Sequence, residues 1–266
     1  MENKIPKLPK ELEALIADET YTTDSIGMSG SGVYIFEDKV LKIQPENSEA
    51  ANERELMKWL EGKITVPSVI YHTVEDGTSF LLMTRIKGKM TCDEEYMKNP
   101  RLLTSILARG LKDIWKVDIT DCPVRAGLDE KLLAAGTAIE AGEVDMDNTE
   151  PETFGENGFK DPEDLLNWLK SNRPAEEPVL THGDYCLPNI FMMSDGKPAF
   201  IDIGRGGIGD KWQDIALAYR SLIHNFDGKY SGKVYEGFEP AMLFEELGIE
   251  PDWDKIRYYI LLDELF

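Results

Sequence analysis

Residues 180–191 read LTHGDYCLPNIF, and residues 200–216 read FIDIGRGGIGDKWQDIA. Asp184 is followed five residues on by Asn189, and Asp202 comes thirteen residues after that. All three sit in or beside apolar runs, where an unpaired polar group is costly to bury. They are therefore expected to pay their way by binding something. An aspartate at the base of a loop can orient an attacking hydroxyl. Asn189 offers a neutral oxygen and Asp202 an anionic one to a hard cation. Mg²⁺ takes carboxylate, amide and phosphate oxygens in near-octahedral geometry, so this donor mix suits it. His182 reads as a brace for the loop rather than as its base.

The chain upstream supplies parts of the same chemistry. GMSGSG, Gly27 to Gly32, lies between strand-like runs, and glycines let backbone N–H groups approach phosphate oxygens. No GK here is followed by Ser or Thr, which excludes a Walker A loop. A strand rather than a helix follows, which excludes a dinucleotide fingerprint. VYIF and VLKI read as strands around an EDK turn, with Lys42 in the second. In kinases a strand lysine reaches the α- and β-phosphates and is oriented by a helix glutamate. SEAANERELMKWLEGK is helical, with Leu56, Trp59 and Leu60 on one face and Gly62 as a stop. It offers Glu53 or Glu55 as that partner, and Glu53 is favoured. ITVPSVIYHTVEDGTSFLLMTRI reads as two strands around Asp76-Gly77.

The pattern changes after Gly88. PRLLTSILARGLKDIWKVDI predicts a long amphipathic helix with Leu103, Ile106, Leu107, Gly110, Ile114 and Trp115 inward. DEKLLAAGTAIEAG, DPEDLLNWLKSNR (capped by Asp161), DKWQDIALAYRSLIH and PDWDKIRYYILLDELF predict further helices, and PVLTHGD and PAFIDIG short strands. The N-terminal KLPKELEALIADE places Leu8, Leu12, Leu15 and Ile16 at helical spacing. The expected architecture is α+β and bilobal, a small β-rich lobe over 1–85 that binds nucleotide and a larger, mostly helical lobe over 86–266.

Bulk properties narrow the partners. The chain has 266 residues and a formal charge of −21, which argues against nucleic acid and anionic membranes, since both need a basic face. Residues 129–177 hold fourteen Asp or Glu against four Lys or Arg, a net of −10, a field that attracts a cation. Cys92, Cys122 and Cys186 are too few and too scattered for a disulfide framework or a zinc knuckle. With neither a signal-peptide core nor an apolar span, the expectation is a soluble cytoplasmic protein with no obligate protein partner.

GMSGSG, Lys42, Glu53, HGDYCLPN and FIDIGR together resemble the aminoglycoside phosphotransferases, relatives of protein kinases. WLEGKITVPSVI, FIDIGRGGIGDKWQDIALAYRS and PDWDKIRYYILLDELF resemble the aminoglycoside 3'-phosphotransferases in particular, and the likeness runs over nearly the whole chain. The resemblance implies a bilobal protein-kinase-like fold and ATP-dependent, Mg²⁺-dependent phosphorylation of a cationic aminoglycoside at its 3'-hydroxyl, which confers resistance. It implies a catalytic role for Asp184 and magnesium ligation by Asn189 and Asp202. It puts Lys42 and Glu53 at the phosphates, Ser29 and Gly30 in the nucleotide loop, and Thr84 and Ile86 at the hinge that holds adenine. Arg205, Arg220, Asp263, Glu264 and Phe266 match positions that order or line the drug site, Phe266 through its terminal carboxylate. Val40 stands where some relatives stack an aromatic on adenine, which admits GTP beside ATP. His224 stands where a relative uses a carboxylate. Rival readings are a kinase for choline or a macrolide, and a nucleotide-binding regulator without turnover.

Overall fold

The computed structural model of the chain describes residues 5–23, 32–147 and 149–266. Ser29 and Gly30 lie outside the described residues. Strands β1 (Thr22–Thr23), β2 (Gly32–Ile35), β3 (Lys39–Pro45), β4 (Val69–Glu75) and β5 (Thr78–Thr84) form one antiparallel sheet in the order β1-β2-β3-β5-β4. The β4–β5 hairpin turns on Asp76 and Gly77 at φ 48° and 75°, the positive pair that a tight two-residue hairpin requires.

Side-chain alternation gives the sheet two apolar faces. Tyr34, Phe36, Leu41, Phe80 and Leu82 pack on Leu8, Leu12 and Ile16 around α1 (Lys10–Leu15). Leu15, expected inward, is exposed, because α1 is short and ends there. Leu81 and Met83 face the other way, toward Leu56, Met57 and Leu60 of α2 (Ser48–Leu60), and join the main core. Asn47 caps α2 by accepting the Ala50 N–H at 2.8 Å.

The sheet ends at Thr84. Residues 85–88 lead to β6 (Lys89–Met90), which pairs with β8 (Ile190–Met192) and through it with β9 (Pro198–Phe200). Helices α3 (Glu94–Met97), α4 (Pro100–Trp115), α5 (Leu128–Ala141) and α6 (Pro162–Ser171) follow. Asp161 caps α6 as expected, accepting the Asp164 N–H at 2.9 Å. Strand β7 (Pro178–Thr181) pairs with β10 (Gly207–Asp210), and α7 (Lys211–Phe226), α8 (Ala241–Leu247) and α9 (Trp253–Asp263) complete the chain. Strand β10 and α8 were not legible as elements: the first reads GIGD and the second is only seven residues long.

The end of the chain is docked. Asp210, 1% exposed, accepts from Lys255 Nζ at 3.1 Å and from Tyr259 OH at 2.9 Å, while Tyr258 OH donates to Leu169 O at 2.9 Å. Among the described residues no helix is long and apolar enough to cross a membrane. The three cysteines are free thiols.

Candidate active site

Lys42 lies on the face of β3 that looks toward α2. A lysine in a strand commonly reaches solvent, yet this one is 7% exposed. Its Nζ donates to Glu53 Oε2 at 2.9 Å and to Asp202 Oδ1 at 2.7 Å. Glu55 is exposed, which decides between the two candidate glutamates. Burial acts to lower the Lys42 pKa, but the Glu53 and Asp202 carboxylates outweigh it and hold the ammonium charged. Burial pushes Glu53 up, to about 7, against the pull of Lys42. Asp202 ends below the usual carboxylate range, because Lys42 outweighs the effect of burial.

The loop after β7 carries Asp184. Asn189 Nδ2 donates to Asp184 Oδ2 at 2.8 Å and to Asp184 O at 3.1 Å, which leaves its Oδ1 as the amide atom for a cation. Ile201 N–H donates to Asn189 O at 3.0 Å, so Asp202 is tied to the same loop. Asp202 has φ 59°, a left-handed conformation that costs a non-glycine residue about 1–2 kcal/mol and persists where surroundings over-determine it. Asn189 and Asp202 could thus offer one oxygen donor each to a cation. Among the described residues no three His, Cys, Asp or Glu converge as a ready-made metal site. Mg²⁺ is commonly held by one or two protein groups together with phosphates and water, and Asn189 and Asp202 could supply that number.

The loop is held by residues that the sequence reading did not single out. Asp214, fully buried on α7, accepts the His182 N–H at 2.7 Å and the Gly183 N–H at 2.9 Å. Burial pushes its pKa up despite those bonds. Gln213 Nε2 donates to Gly183 O at 3.3 Å, Ser221 Oγ accepts the Leu187 N–H at 3.0 Å, and Thr91 Oγ1 donates to Leu187 O at 2.8 Å. The signal for Asp214 was a charged residue inside the apolar run of an otherwise buried helix. Tyr185 OH reaches Leu107 O at 2.8 Å across α4 at Gly110, where a Cβ would lie 2.2 Å from that hydroxyl. His182 is a brace, as expected: it is 2% exposed and its Nδ1 accepts the Asp184 N–H at 3.3 Å.

Beside this loop the basic and acidic residues of the expected drug site come together. Arg205 lies 3.4 Å from Glu49 and 3.7 Å from Asp263, and Arg220 pairs with Asp263 and, at 3.4 Å, with Glu264. Burial acts to raise the Asp263 pKa, but Arg220 and Arg205 hold it below the usual range. Glu264 is nearly enclosed and faces inward. Its Oε2 accepts the Glu150 N–H at 2.7 Å, and burial pushes its pKa up to about 7. Glu264 therefore braces the backbone at Glu150. Glu150 in turn meets His224 Nε2 at 2.6 Å and Lys229 Nζ at 2.7 Å, so His224 ties down the acidic segment. The Phe266 ring lies 5.7 Å from the Arg205 guanidinium carbon. Thr84 accepts the Ser68 N–H on its Oγ1 at 2.9 Å at the end of β5. Two residues on, neither the N–H nor the C=O of Ile86 is paired among the described residues.

A profile of the "Phosphotransferase enzyme family" matches residues 21–259. An aminoglycoside 3'-phosphotransferase of Enterococcus faecalis is 36% identical over 273 residues, covering 98% of both chains. The chain belongs to this phosphotransferase family and, within it, to the aminoglycoside 3'-phosphotransferases. The fold agrees. A crystal structure of an aminoglycoside-3'-phosphotransferase of type VIII superposes with a TM-score of 0.83 at 26% identity, over 97% of each chain. A choline/ethanolamine kinase family protein of Mesorhizobium loti shares the fold at a TM-score of 0.62 and 16% identity, covering 96% of this chain and 81% of its own. The bilobal α+β kinase-like architecture is thus that of the family.

Proposed function

We propose that the chain transfers the γ-phosphoryl group of ATP to the 3'-hydroxyl of an aminoglycoside and so confers resistance. What supports this reading is that Lys42 pairs with both Glu53 and Asp202, that Asn189 donates to Asp184, and that the Ile201 N–H beside Asp202 bonds the Asn189 carbonyl, with Arg205, Asp263 and Arg220 paired nearby. Residues 1–85 form the nucleotide lobe and 86–266 the lobe that carries the catalytic loop and drug site.

In this reading adenine meets the backbone near Thr84 and Ile86. Lys42, kept charged and aimed by Glu53, holds the α- and β-phosphates. Asn189 and Asp202 would hold Mg²⁺, which supplies charge neutralisation on the phosphate oxygens. Asp184 accepts the hydrogen bond of the drug hydroxyl and points its oxygen at the γ-phosphorus. Phosphoryl transfer of this kind is loose, so placement and electrostatics outweigh basicity. The substrate's ammonium groups meet the net-negative 129–177 segment. Phosphorylation then puts negative charge on a drug whose hold on its target depends on positive charge.

The shared fold of the choline/ethanolamine kinase relative does not select a substrate, so the test is a panel. Purified protein with Mg²⁺ and ATP is coupled to ADP release against kanamycin, neomycin, tobramycin (which lacks the 3'-hydroxyl), choline and a macrolide. Turnover of kanamycin and neomycin but not tobramycin is expected. Turnover of choline or the macrolide instead would refute the aminoglycoside assignment.

A further inference from the structure

We infer that Lys131 is a positioning residue for this phosphoryl transfer: from α5 it pins the Arg205 carbonyl against the catalytic loop and so sets Arg205 relative to Asp184. The inference rests on the aminoglycoside phosphotransferase reading above. Lys131 Nζ donates to Arg205 O at 2.9 Å. That oxygen is the atom that a Cβ on Gly183 would meet at 2.1 Å, and Gly183 has φ 87°. One residue further, a Cβ on Gly206 would lie 2.6 Å from Thr181 O and 2.7 Å from His182 O. The turn after Asp202 and the start of the catalytic loop therefore touch backbone to backbone. With no slack between them, a displaced Arg205 carbonyl displaces Gly183 and, with it, Asp184.

Lys131 is also close to the end of the chain. Its Nζ and the Arg205 guanidinium carbon each lie 5.7 Å from the Phe266 ring centroid. Arg205 is drawn toward Glu49 at 3.4 Å and Asp263 at 3.7 Å. Lys131 thus stands where the metal-side turn, the catalytic loop and the drug-side C-terminus meet. Lys131 is half-buried, and among the described residues its ammonium makes no ion pair within 4.0 Å.

The groups that face it are Arg205 from the turn, Asp263 and Phe266 from the end of the chain, Asp214 from α7 and Glu49 from α2. Burial dominates and Arg205 adds to it, so the ammonium pKa falls to about 8 in spite of the three carboxylates. Above that pH the amine still offers an N–H, but the charge-assisted part of its bond and its attraction to Asp263 are lost.

The experiment uses the full chain with Mg²⁺, ATP and kanamycin, and the variants Lys131→Met and Lys131→Arg. Leaving the Arg205 carbonyl without its donor in Lys131→Met is expected to lower kcat/KM for kanamycin about tenfold, with KM for ATP changed less than about twofold. Lys131→Arg restores most of the loss. The wild-type to Lys131→Arg ratio of kcat/KM is expected to fall as pH rises from about 7 to about 9.5, because arginine stays charged. Taking the ratio cancels titration of the drug's own amines. Lys131→Met with unchanged kcat/KM, or a ratio flat across that range, overturns the inference and leaves the reaction standing. Wild-type protein that turns over no aminoglycoside overturns both.

Discussion

Asp214→Asn tests whether the proposed catalytic loop, residues 182–189, is positioned from beneath. Asp214 receives two backbone N–H groups, from His182 at 2.7 Å and from Gly183 at 2.9 Å, one on each carboxylate oxygen. Asparagine keeps the shape but has one accepting oxygen, so one of the two N–H groups must face an NH₂. A buried donor left unpaired costs about 1–3 kcal/mol, and the surviving bond loses its charge assistance. Relief works in the other direction. Burial raises the Asp214 pKa, so the wild-type charge is itself costly to hold, and its removal returns part of the loss. The net expectation is about 1–3 kcal/mol, or a fall in Tm on the order of 3–10 °C for a chain of this size. The larger effect is on turnover, since Asp184 lies one residue beyond the released N–H. A displacement near 1 Å there lowers kcat about 10–10²-fold. Thermal unfolding and steady-state ADP release on kanamycin, with wild type in parallel, measure both. Full turnover with Tm unchanged would refute the claim that Asp214 places the loop. A lower Tm with normal kcat would show that it only stabilises.

Asp184→Ala is expected to lower kcat at least about 10²-fold while the Kd for nucleotide, from titration calorimetry, stays near wild type. Lys255→Met leaves Asp210 buried without its cation, a loss of about 3–5 kcal/mol in chemical denaturation, and raises KM for the drug more than KM for ATP, because α9 ends on Asp263 and leads into Phe266. Glu264→Gln probes a carboxyl whose folded pKa is raised from 4.5 to about 7 by burial. Such a group contributes stability that is fully present below pH about 4.5 and is lost as pH rises through about 7. The Tm of wild type minus that of Glu264→Gln should therefore decline between pH about 5 and about 8, and a difference that grows instead contradicts the enclosed geometry.

Sequence alone went far with the fold and the candidate site because the candidate residues sit in local patterns. The five-residue step from Asp184 to Asn189 spans one loop, and the strand-like AFI before Asp202 places it at a strand's end. Lys42 in VLKI and the EDK and Asp76-Gly77 turns are likewise set by neighbours a few residues away. Tertiary structure decided what depends on contacts between distant segments. It put Glu53, the glutamate the sequence already favoured, on Lys42, since only the buried face of α2 meets β3. It turned Glu264 inward onto the Glu150 N–H, 114 residues away, and put His224 on the side chain of that same Glu150. It fixed what Asp214 and Lys131 do, because their partners are backbone atoms of a loop and a turn: a lone Asp in the apolar run of α7 signals burial but not its partner. Hydrogen bonds to backbone leave no trace in the partner's side chain, so a one-dimensional pattern cannot announce them. The fold has to bring the two ends together first.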